Sequence, residues 1–156
     1  METCPVTPRI LLADDQAEVR QYVAEVLGSC GAEVTAVPDG QSVIREAMGS
    51  PHDLCILDID MPGMDGLETC RRLRAAPFTR SLPVLFLTGY ADADTIDKAF
   101  AAGGSDYLAK PVHPTLLWLR VRNLLLLSGL KQERTRMEDV LKVLSSPTAQ
   151  DGTPAP

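Results

Sequence analysis

Side chains that can bind a cation or a phosphate group stand at the ends of several short apolar runs in this sequence. Asp14 and Asp15 end the first run, and Asp58 ends the third. Thr88 ends the fourth run, and Lys110 ends the fifth. Because the carboxyl ends of parallel strands meet at one edge of an open sheet, we expect these five side chains to lie together.

Three carboxylates at one place repel each other, and each would raise the pKa of its neighbours. A hard divalent cation such as Mg²⁺ or Mn²⁺ would relieve that repulsion, and so would the ammonium group of Lys110. A metal ion, a lysine and a hydroxyl group are also what the transition state of phosphoryl transfer requires. No histidine, cysteine or serine ends these runs, so we expect a carboxylate nucleophile and an aspartyl phosphate product.

The elements that would position these residues alternate between two hydrophobic periods. Continuous apolar runs predict buried strands at 9–13, 33–37, 53–58, 83–88 and 106–110. Apolar residues at helical spacing lie between and after these runs, which predicts five helices. This alternation indicates an α/β fold with a parallel sheet and helices on both faces.

Composition limits the class of protein. The chain has 156 residues, enough for one domain of ordinary size, and its 45% hydrophobic content is typical of a globular protein. Its net charge of −6 disfavours direct binding to nucleic acid. No apolar run is long enough to cross a membrane and the first residues do not form a secretory signal, so we expect a cytoplasmic protein.

The four cysteines are Cys4, Cys30, Cys55 and Cys70. They form no C-x-x-C pair, and neither histidine lies at zinc-ligand spacing from any of them, so we expect no structural zinc site. We interpret Cys30, Cys55 and Cys70 as small buried hydrophobic residues of a protein in a reducing compartment.

The strand-end residues together resemble the receiver domain of bacterial two-component response regulators. The matching motifs are Asp14-Asp15, Asp58 within the segment LDIDMPGMDG, Thr88-Gly89, and Tyr107 with Lys110-Pro111. The resemblance covers residues 8–126. It implies a flavodoxin-like sheet with the strand order 2-1-3-4-5. It also implies a signalling domain rather than an enzyme that turns over a metabolite.

The resemblance implies a role for each acid. Asp58 is similar to the phosphoacceptor, Asp15 and Asp58 to direct Mg²⁺ ligands, and Asp14 to a ligand that acts through a water molecule. The family's third protein ligand is a backbone carbonyl, which falls on Asp60 here. The implied phosphoryl donor is a sensor histidine kinase, a phosphotransfer protein or a small phosphodonor.

Further residues resemble the switch of the family. Thr88 matches the hydroxyl that turns toward the phosphoryl group, and Lys110 matches the lysine that pairs with that group. Tyr107 matches the aromatic residue that moves inward, and Pro111 matches the usual cis proline. Phosphorylation is therefore expected to change the face formed by the fourth helix, the fifth strand and the fifth helix, and so to signal to an output domain or an effector protein.

Two other interpretations stay open. A dimerisation or interaction module could keep the fold without phosphorylation, although the full set of acids, threonine and lysine argues against it. Asp58-Ile59-Asp60 also resembles the D-x-D core of haloacid-dehalogenase-type phosphatases. In those enzymes the motif follows the first strand and acids follow the lysine. Here it follows the third strand, and no acid appears between Pro111 and Glu133.

The last predicted helix begins at Pro114 and continues to about Leu144, although Ser128-Gly129 lowers helix propensity and is a candidate break. Two heptad seams lie on it: Leu126, Leu130, Glu133, Met137, Val140 and Leu144, or Leu127, Leu130, Arg134, Met137, Leu141 and Leu144. We predict a receiver domain at 8–126, an extended helix with coiled-coil spacing at 127–145 and a disordered tail at 146–156. Either this helix forms a homodimer, or it packs back on its own domain.

Overall fold

Residues 7–145, which the computed structural model describes, form a five-stranded parallel sheet with helices on both faces. The strands are β1 (Arg9–Ala13), β2 (Glu33–Val37), β3 (Leu54–Asp58), β4 (Val84–Thr88) and β5 (Asp106–Ala109). Their order across the sheet is β2-β1-β3-β4-β5, and each neighbouring pair is parallel. This confirms the predicted fold class and strand order.

Five helices lie within the described residues: α1 (Ala17–Ser29), α2 (Gly40–Gly49), α3 (Gly66–Ala75), α4 (Ala93–Ala101) and α5 (Pro114–Ser145). An aspartate caps the amino end of three of them, Asp39 for α2, Asp65 for α3 and Asp92 for α4. Each cap accepts a hydrogen bond from a backbone N–H of the first turn, which stabilises the start of the helix. Asp65 is therefore a helix cap, although it lies close in sequence to the predicted site.

The side chains of the sheet alternate between two hydrophobic layers. Cys55 and Leu57 of β3 belong to the layer that contains α2, α3 and α4, whereas Leu54 and Ile56 belong to the layer that contains α1 and the first part of α5. Every residue of β3 and β4 is buried, as expected for central strands covered on both faces. The parallel register, which pairs Ala13 with Leu57 and Asp58 with Leu87, aligns the carboxyl ends of β1, β3 and β4.

Three predicted strand boundaries differ from the structure by one residue. Asp53 and Pro83 precede β3 and β4, and Lys110 follows β5 instead of ending it. A cis peptide bond joins Lys110 to Pro111 directly after the strand. The backbone N–H of Lys110 still donates to the carbonyl of Thr88 at 2.7 Å, so Lys110 stays at the predicted edge.

The expectation of buried cysteines is correct for two positions and wrong for one. Cys55 and Cys70 are free and buried, whereas Cys30 is free and exposed. Cys30 directly follows the last residue of α1, where the chain leaves the hydrophobic layer. Cys4 lies outside the described residues.

Helix α3 begins in close contact with the end of β3. Gly66 donates its backbone N–H to the carbonyl of Ile59 at 3.0 Å. A Cβ atom at Gly66 would overlap the backbone carbonyl of Asp58. The absence of a side chain at Gly66 therefore lets α3 pack directly on the peptide that carries Asp58.

The chain divides into two compact units, with the boundary between Leu125 and Leu126. The predicted tail at 146–156 lies outside the described residues. Within the part of the chain that the structure describes, each helix is too short or too polar to span a membrane.

The second unit carries the carboxyl-terminal part of α5. The helix is continuous through Ser128-Gly129, the candidate break. Eight large apolar side chains of this unit, between Leu126 and Leu144, are 51% to 75% exposed. This part of α5 therefore presents an apolar surface to solvent.

Candidate functional site

Three aspartates meet at the carboxyl edge of the sheet. Asp14 and Asp15 follow β1, and Asp58 is the last residue of the neighbouring strand β3. One carboxylate oxygen of each residue lies within 4.8 Å of those of the other two. Asp14 and Asp58 are buried, whereas Asp15 is exposed, so the cluster is open to solvent on the side of Asp15. We call these three residues the acid cluster.

The ammonium group of Lys110 is the counter-ion of the buried acids. Its Nζ atom lies 2.8 Å from Oδ2 of Asp14 and 3.4 Å from Oδ2 of Asp58. Burial alone would lower the pKa of Lys110, but the hydrogen bond to Asp14 and the charges of both acids outweigh burial and raise it. Lys110 is therefore charged at neutral pH, and its shorter contact is with Asp14 rather than with the predicted phosphoacceptor.

Asp58 carries a negative charge that its surroundings only partly compensate. Burial, followed by the charge of Asp14, raises the pKa of Asp58 from 3.8 to about 6. Lys110 and the backbone N–H of Asp60, which donates to Oδ1 of Asp58 at 3.2 Å, act in the opposite direction. A further cation beside Asp58 would favour its ionised form.

The acid cluster fits a divalent cation of the Mg²⁺ or Mn²⁺ type. Its donors are all carboxylate oxygens, which such hard ions prefer over nitrogen or sulfur. Lys110 supplies one positive charge against the three acids of the cluster, so the carboxylates outnumber the cation that pairs with them. The carboxylate of Asp60 is not part of the cluster, and the role suggested for its backbone carbonyl stays a prediction.

The hydroxyl group of Thr88 is engaged with its own loop. Thr88 is buried at the end of β4. Its Oγ1 donates to the backbone carbonyl of Tyr90 at 2.9 Å and accepts from the backbone N–H of Tyr90 at 3.0 Å. To reach a phosphoryl group on Asp58, this hydroxyl would have to exchange these two hydrogen bonds for a new one.

Tyr107 of β5 packs against an aromatic residue of α4. Its ring lies edge-on to the ring of Phe100, with centroids 6.3 Å apart and an angle of 86° between the ring planes. Such a contact contributes about 0.5–1.5 kcal/mol beyond the burial of the rings. Tyr107 is half-buried and Phe100 is 48% exposed, so the pair lies at the rim of the core. Phe100 is a neighbour of the predicted switch that the sequence did not indicate.

Arg20 is a second residue near the site that sequence reasoning missed. It is the fourth residue of α1, and its Nη1 atom donates to the backbone carbonyl of Asp14 at 2.7 Å. Side chains of a helix tilt toward its amino end, so a long side chain at this position reaches back to the β1–α1 loop. That tilt is the signal that could have identified Arg20.

A groove of about 410 Å³ borders the site on the side of α1. Its lining residues are Glu18, Val19, Tyr22, Lys110, Pro111 and Val112. Lys110 also contacts the acid cluster, so the groove and the cluster share one side chain. A partner bound in this groove would lie next to the acids.

A parallel α/β sheet with an acid cluster and a lysine at its carboxyl edge defines a protein suited to hold a divalent cation beside a phosphate group. Residues 10–122 of the chain match the response regulator receiver domain family. Among solved structures, the chemotaxis response regulator CheY4 of Vibrio cholerae has a TM-score of 0.73 and 28% sequence identity, over 76% of this chain and 99% of that one. The chain belongs to the response regulator receiver domain family.

Two relatives are much longer than the matched region. The chain is 36% identical over 120 residues to the response regulator PleD of Caulobacter vibrioides, which covers 76% of this chain and 26% of PleD. It is 33% identical over 117 residues to the transcriptional regulatory protein ResD of Bacillus subtilis, which covers 75% of this chain and 48% of ResD. The match therefore spans less than half of either relative.

Proposed function

We propose that this chain relays a two-component signal by accepting a phosphoryl group on Asp58. The donor would be a phosphohistidine of a sensor histidine kinase or of a phosphotransfer protein, or a small phosphodonor. The observation that supports this most is the acid cluster, in which Asp58 lies beside Asp14, Asp15 and the ammonium of Lys110. A nucleophile, a cation site and a fixed positive charge are the parts that phosphoryl transfer needs.

In the proposed reaction with a phosphohistidine donor, a carboxylate oxygen of Asp58 attacks phosphorus and the bond from phosphorus to the histidine nitrogen breaks. The leaving imidazole keeps the electron pair of that bond and takes up a proton. Asp14, Asp15, Asp58 and the carbonyl of Asp60 would hold Mg²⁺ or Mn²⁺, which supplies positive charge to the transferred group. Lys110 would turn its ammonium toward the phosphoryl oxygens. Hydrolysis later returns free Asp58 and inorganic phosphate.

The proposed switch starts from the hydrogen bonds of Thr88. A phosphoryl group adds about −1.5 to −2 charges at pH 7, so its oxygens compete for the hydroxyl that now bonds to Tyr90. Movement of this loop would change the space next to Tyr107 and its contact with Phe100. The face formed by α4, β5 and α5 would then favour a different set of partners, such as an output domain or an effector protein.

The groove beside α1 suits the approach of the phosphoryl donor. It contains the apolar side chains of Val19, Tyr22 and Val112, and Lys110 joins it to the acid cluster. A helix of a donor protein that covered these apolar groups would bring its phosphohistidine next to Asp58. Cytoplasmic location is part of this proposal, and the free thiols of Cys55 and Cys70 are consistent with a reducing compartment.

Phosphoryl transfer can be tested directly with a small phosphodonor. With acetyl phosphate and Mg²⁺, we expect the intact protein to gain the mass of one phosphoryl group. Borohydride reduction should then convert only Asp58 to homoserine, which peptide mass spectrometry would detect. Incubation with EDTA is the control, and it should prevent the gain. A protein that stays unmodified with Mg²⁺ and donor would favour the alternative of a phosphorylation-independent interaction module.

We further propose that residues 8–126 act as the receiver domain and that the helix at 127–145 forms a homodimer. The apolar side chains of this helix repeat at heptad spacing and are more than half exposed, so a second copy would remove them from water. Leu130, Met137 and Leu144 belong to both seams, so they would be buried in either register.

A substitution on both seams tests the dimer. We expect Met137→Glu to lower the mass measured by light scattering from that of a dimer to that of a monomer, because it places a charge in the apolar seam. Truncation after Leu127 should have the same effect. Thr135→Glu is the matched control, since Thr135 lies on neither seam. A monomer mass for the unaltered chain at high concentration would exclude the dimer.

A further inference from the structure

Arg20 makes a contact that the proposed reaction does not use. Its guanidinium donates to the backbone carbonyl of Asp14 at 2.7 Å, and its side chain is half-buried on α1. We propose that Arg20 is a positioning residue, which fixes the peptide between Asp14 and Asp15 and thereby places the carboxylate of Asp15 for binding a divalent cation. This inference rests on the proposed function.

The three acids of the cluster differ in how their side chains are held. Asp14 accepts hydrogen bonds from the backbone N–H of Gln16 at 2.9 Å and from Lys110 at 2.8 Å. Asp58 accepts a backbone hydrogen bond and pairs with the same lysine. Among the residues that the structure describes, none forms a hydrogen bond or an ion pair with the carboxylate of Asp15. The position of this exposed acid therefore depends on the backbone that carries it.

Arg20 and Val37 together hydrogen-bond both backbone polar groups of Asp14. The N–H of Asp14 donates to the carbonyl of Val37 at 3.3 Å, which links it to β2. The carbonyl of Asp14 is held by Arg20. Because the peptide group is planar, the direction of this carbonyl also sets the direction to the Cα atom of Asp15. If this carbonyl had no hydrogen bond, the peptide could rotate and displace the carboxylate of Asp15. Small displacements of a ligand lower the affinity of a site for its metal ion.

Arg20 acts differently from Lys110, although both are cations beside the acids. Lys110 pairs directly with two carboxylates. Within residues 7–145, Arg20 forms no ion pair and contacts a neutral carbonyl instead. Its positive charge alone would repel a divalent cation. Removal of Arg20 should therefore tighten cation binding if only its charge matters, and should weaken binding if it positions Asp15.

The test is a titration with Mn²⁺, in which electron paramagnetic resonance measures the free ion. We expect Arg20→Met to raise the Kd for Mn²⁺ roughly tenfold, as loss of outer-shell partners commonly does. Arg20→Lys should recover most of the affinity, because lysine can donate to the same carbonyl. Arg122→Met is the matched control, since it removes the same charge from an exposed position on α5. Its Kd should equal that of the unaltered protein.

A double-mutant cycle shows whether Arg20 acts through Asp15. In the background of Asp15→Asn, the further change Arg20→Met should have little additional effect on the Kd, because the ligand that it positions is gone. A role limited to fold stability would lower the melting temperature and leave the Kd of the folded protein unchanged. Amide exchange of Gln16 in the metal-free protein should also become faster in Arg20→Met.

The outcomes separate this inference from the proposed function. If the unaltered protein binds Mn²⁺ and Arg20→Met binds it equally or more tightly, Arg20 is not a positioning residue and the proposed function stands. Additive effects of the two substitutions would likewise reject the route through Asp15. If the unaltered protein does not bind Mn²⁺ at all, the proposed function fails and the inference fails with it.

Discussion

Asp58→Asn is expected to abolish phosphoryl incorporation and, at the same time, to stabilise the metal-free protein at neutral pH. Incorporation is lost because an amide cannot replace the carboxylate nucleophile. With acetyl phosphate and Mg²⁺, the gain in mass should fall to the background of the assay. Asp97→Asn makes the same chemical change at an exposed position on α4 and should leave incorporation unaltered.

The gain in stability follows from the raised pKa of Asp58. Its pKa is about 6 in the folded protein, chiefly because of burial, against an ordinary value of 3.8. Between these values the folded state binds more protons than the unfolded state, so the free energy of unfolding falls as pH rises. The loss of stability caused by ionising Asp58 in the folded protein is absent below about pH 4. It is complete above about pH 6, where it reaches about 3 kcal/mol. Asparagine at position 58 carries no charge, so the variant does not lose this stability as the pH rises.

Urea unfolding in EDTA at two pH values measures how the free energy of unfolding of each protein depends on pH. The free energy of unfolding of Asp58→Asn should exceed that of the unaltered protein by up to about 3 kcal/mol near pH 7.5. Near pH 4 the two free energies should differ little. Addition of Mg²⁺ should stabilise the unaltered protein more than the variant, because the variant lacks one ligand. Equal stability at both pH values would contradict an uncompensated charge on Asp58. Phosphorylation of the variant at the normal level would reject Asp58 as the acceptor.

The fold and the acid cluster could be predicted because they depend on backbone periodicity. Up to their last residues, the runs that became β3 and β4 are continuously apolar, as expected for short strands covered on both faces. Once the strands are parallel, residues at their carboxyl ends must share one edge. Asp14, Asp15 and Asp58 therefore follow from strand boundaries, and an error of one residue at the boundary of β5 did not displace Lys110 from that edge.

Side-chain geometry could not be predicted in the same way. Lys110 lies 2.8 Å from Asp14 and 3.4 Å from Asp58, a difference set by the rotamer of a long flexible side chain. The hydrogen bonds of Thr88 to Tyr90 depend on the loop after β4, whose path has no periodic signal. Arg20 acts from the next helix: the tilt of helix side chains directs it toward the β1–α1 loop, but which carbonyl it contacts depends on the path of that loop.

Replacement of Lys110 should destabilise the fold, in contrast to replacement of Asp58. Lys110→Met leaves the buried acids Asp14 and Asp58 without their counter-ion, and breaking a buried ion pair costs several kcal/mol. Because the lysine side chain is 21% exposed, we expect a loss of about 2–3 kcal/mol at pH 7.5 in EDTA. Lys98→Met, which breaks an exposed ion pair with Asp94 on α4, is the matched control and should change stability little.

The pH dependence of the free energy of unfolding of Lys110→Met shows whether the charge of Asp58 contributes to this loss. Lys110 lowers the pKa of Asp58, so its removal should raise that pKa further and make the stability of Lys110→Met fall more steeply with rising pH. At about pH 4, where Asp58 is protonated in both proteins, the difference between them should shrink. A loss of the same size at both pH values would mean that the charge of Asp58 does not cause it.

The double variant Asp58→Asn with Lys110→Met tests the pairing itself. If Lys110 stabilises the fold by neutralising Asp58 as well as Asp14, removing the lysine should cost less once Asp58 is uncharged, by about 1 kcal/mol or more. The remaining cost then measures the contact with Asp14, which is the shorter of the two. Mg²⁺ should recover part of the stability of Lys110→Met, because a divalent cation restores positive charge among the acids. Strict additivity of the two substitutions, with no recovery by Mg²⁺, would mean that the lysine and the acid cluster do not form one electrostatic unit.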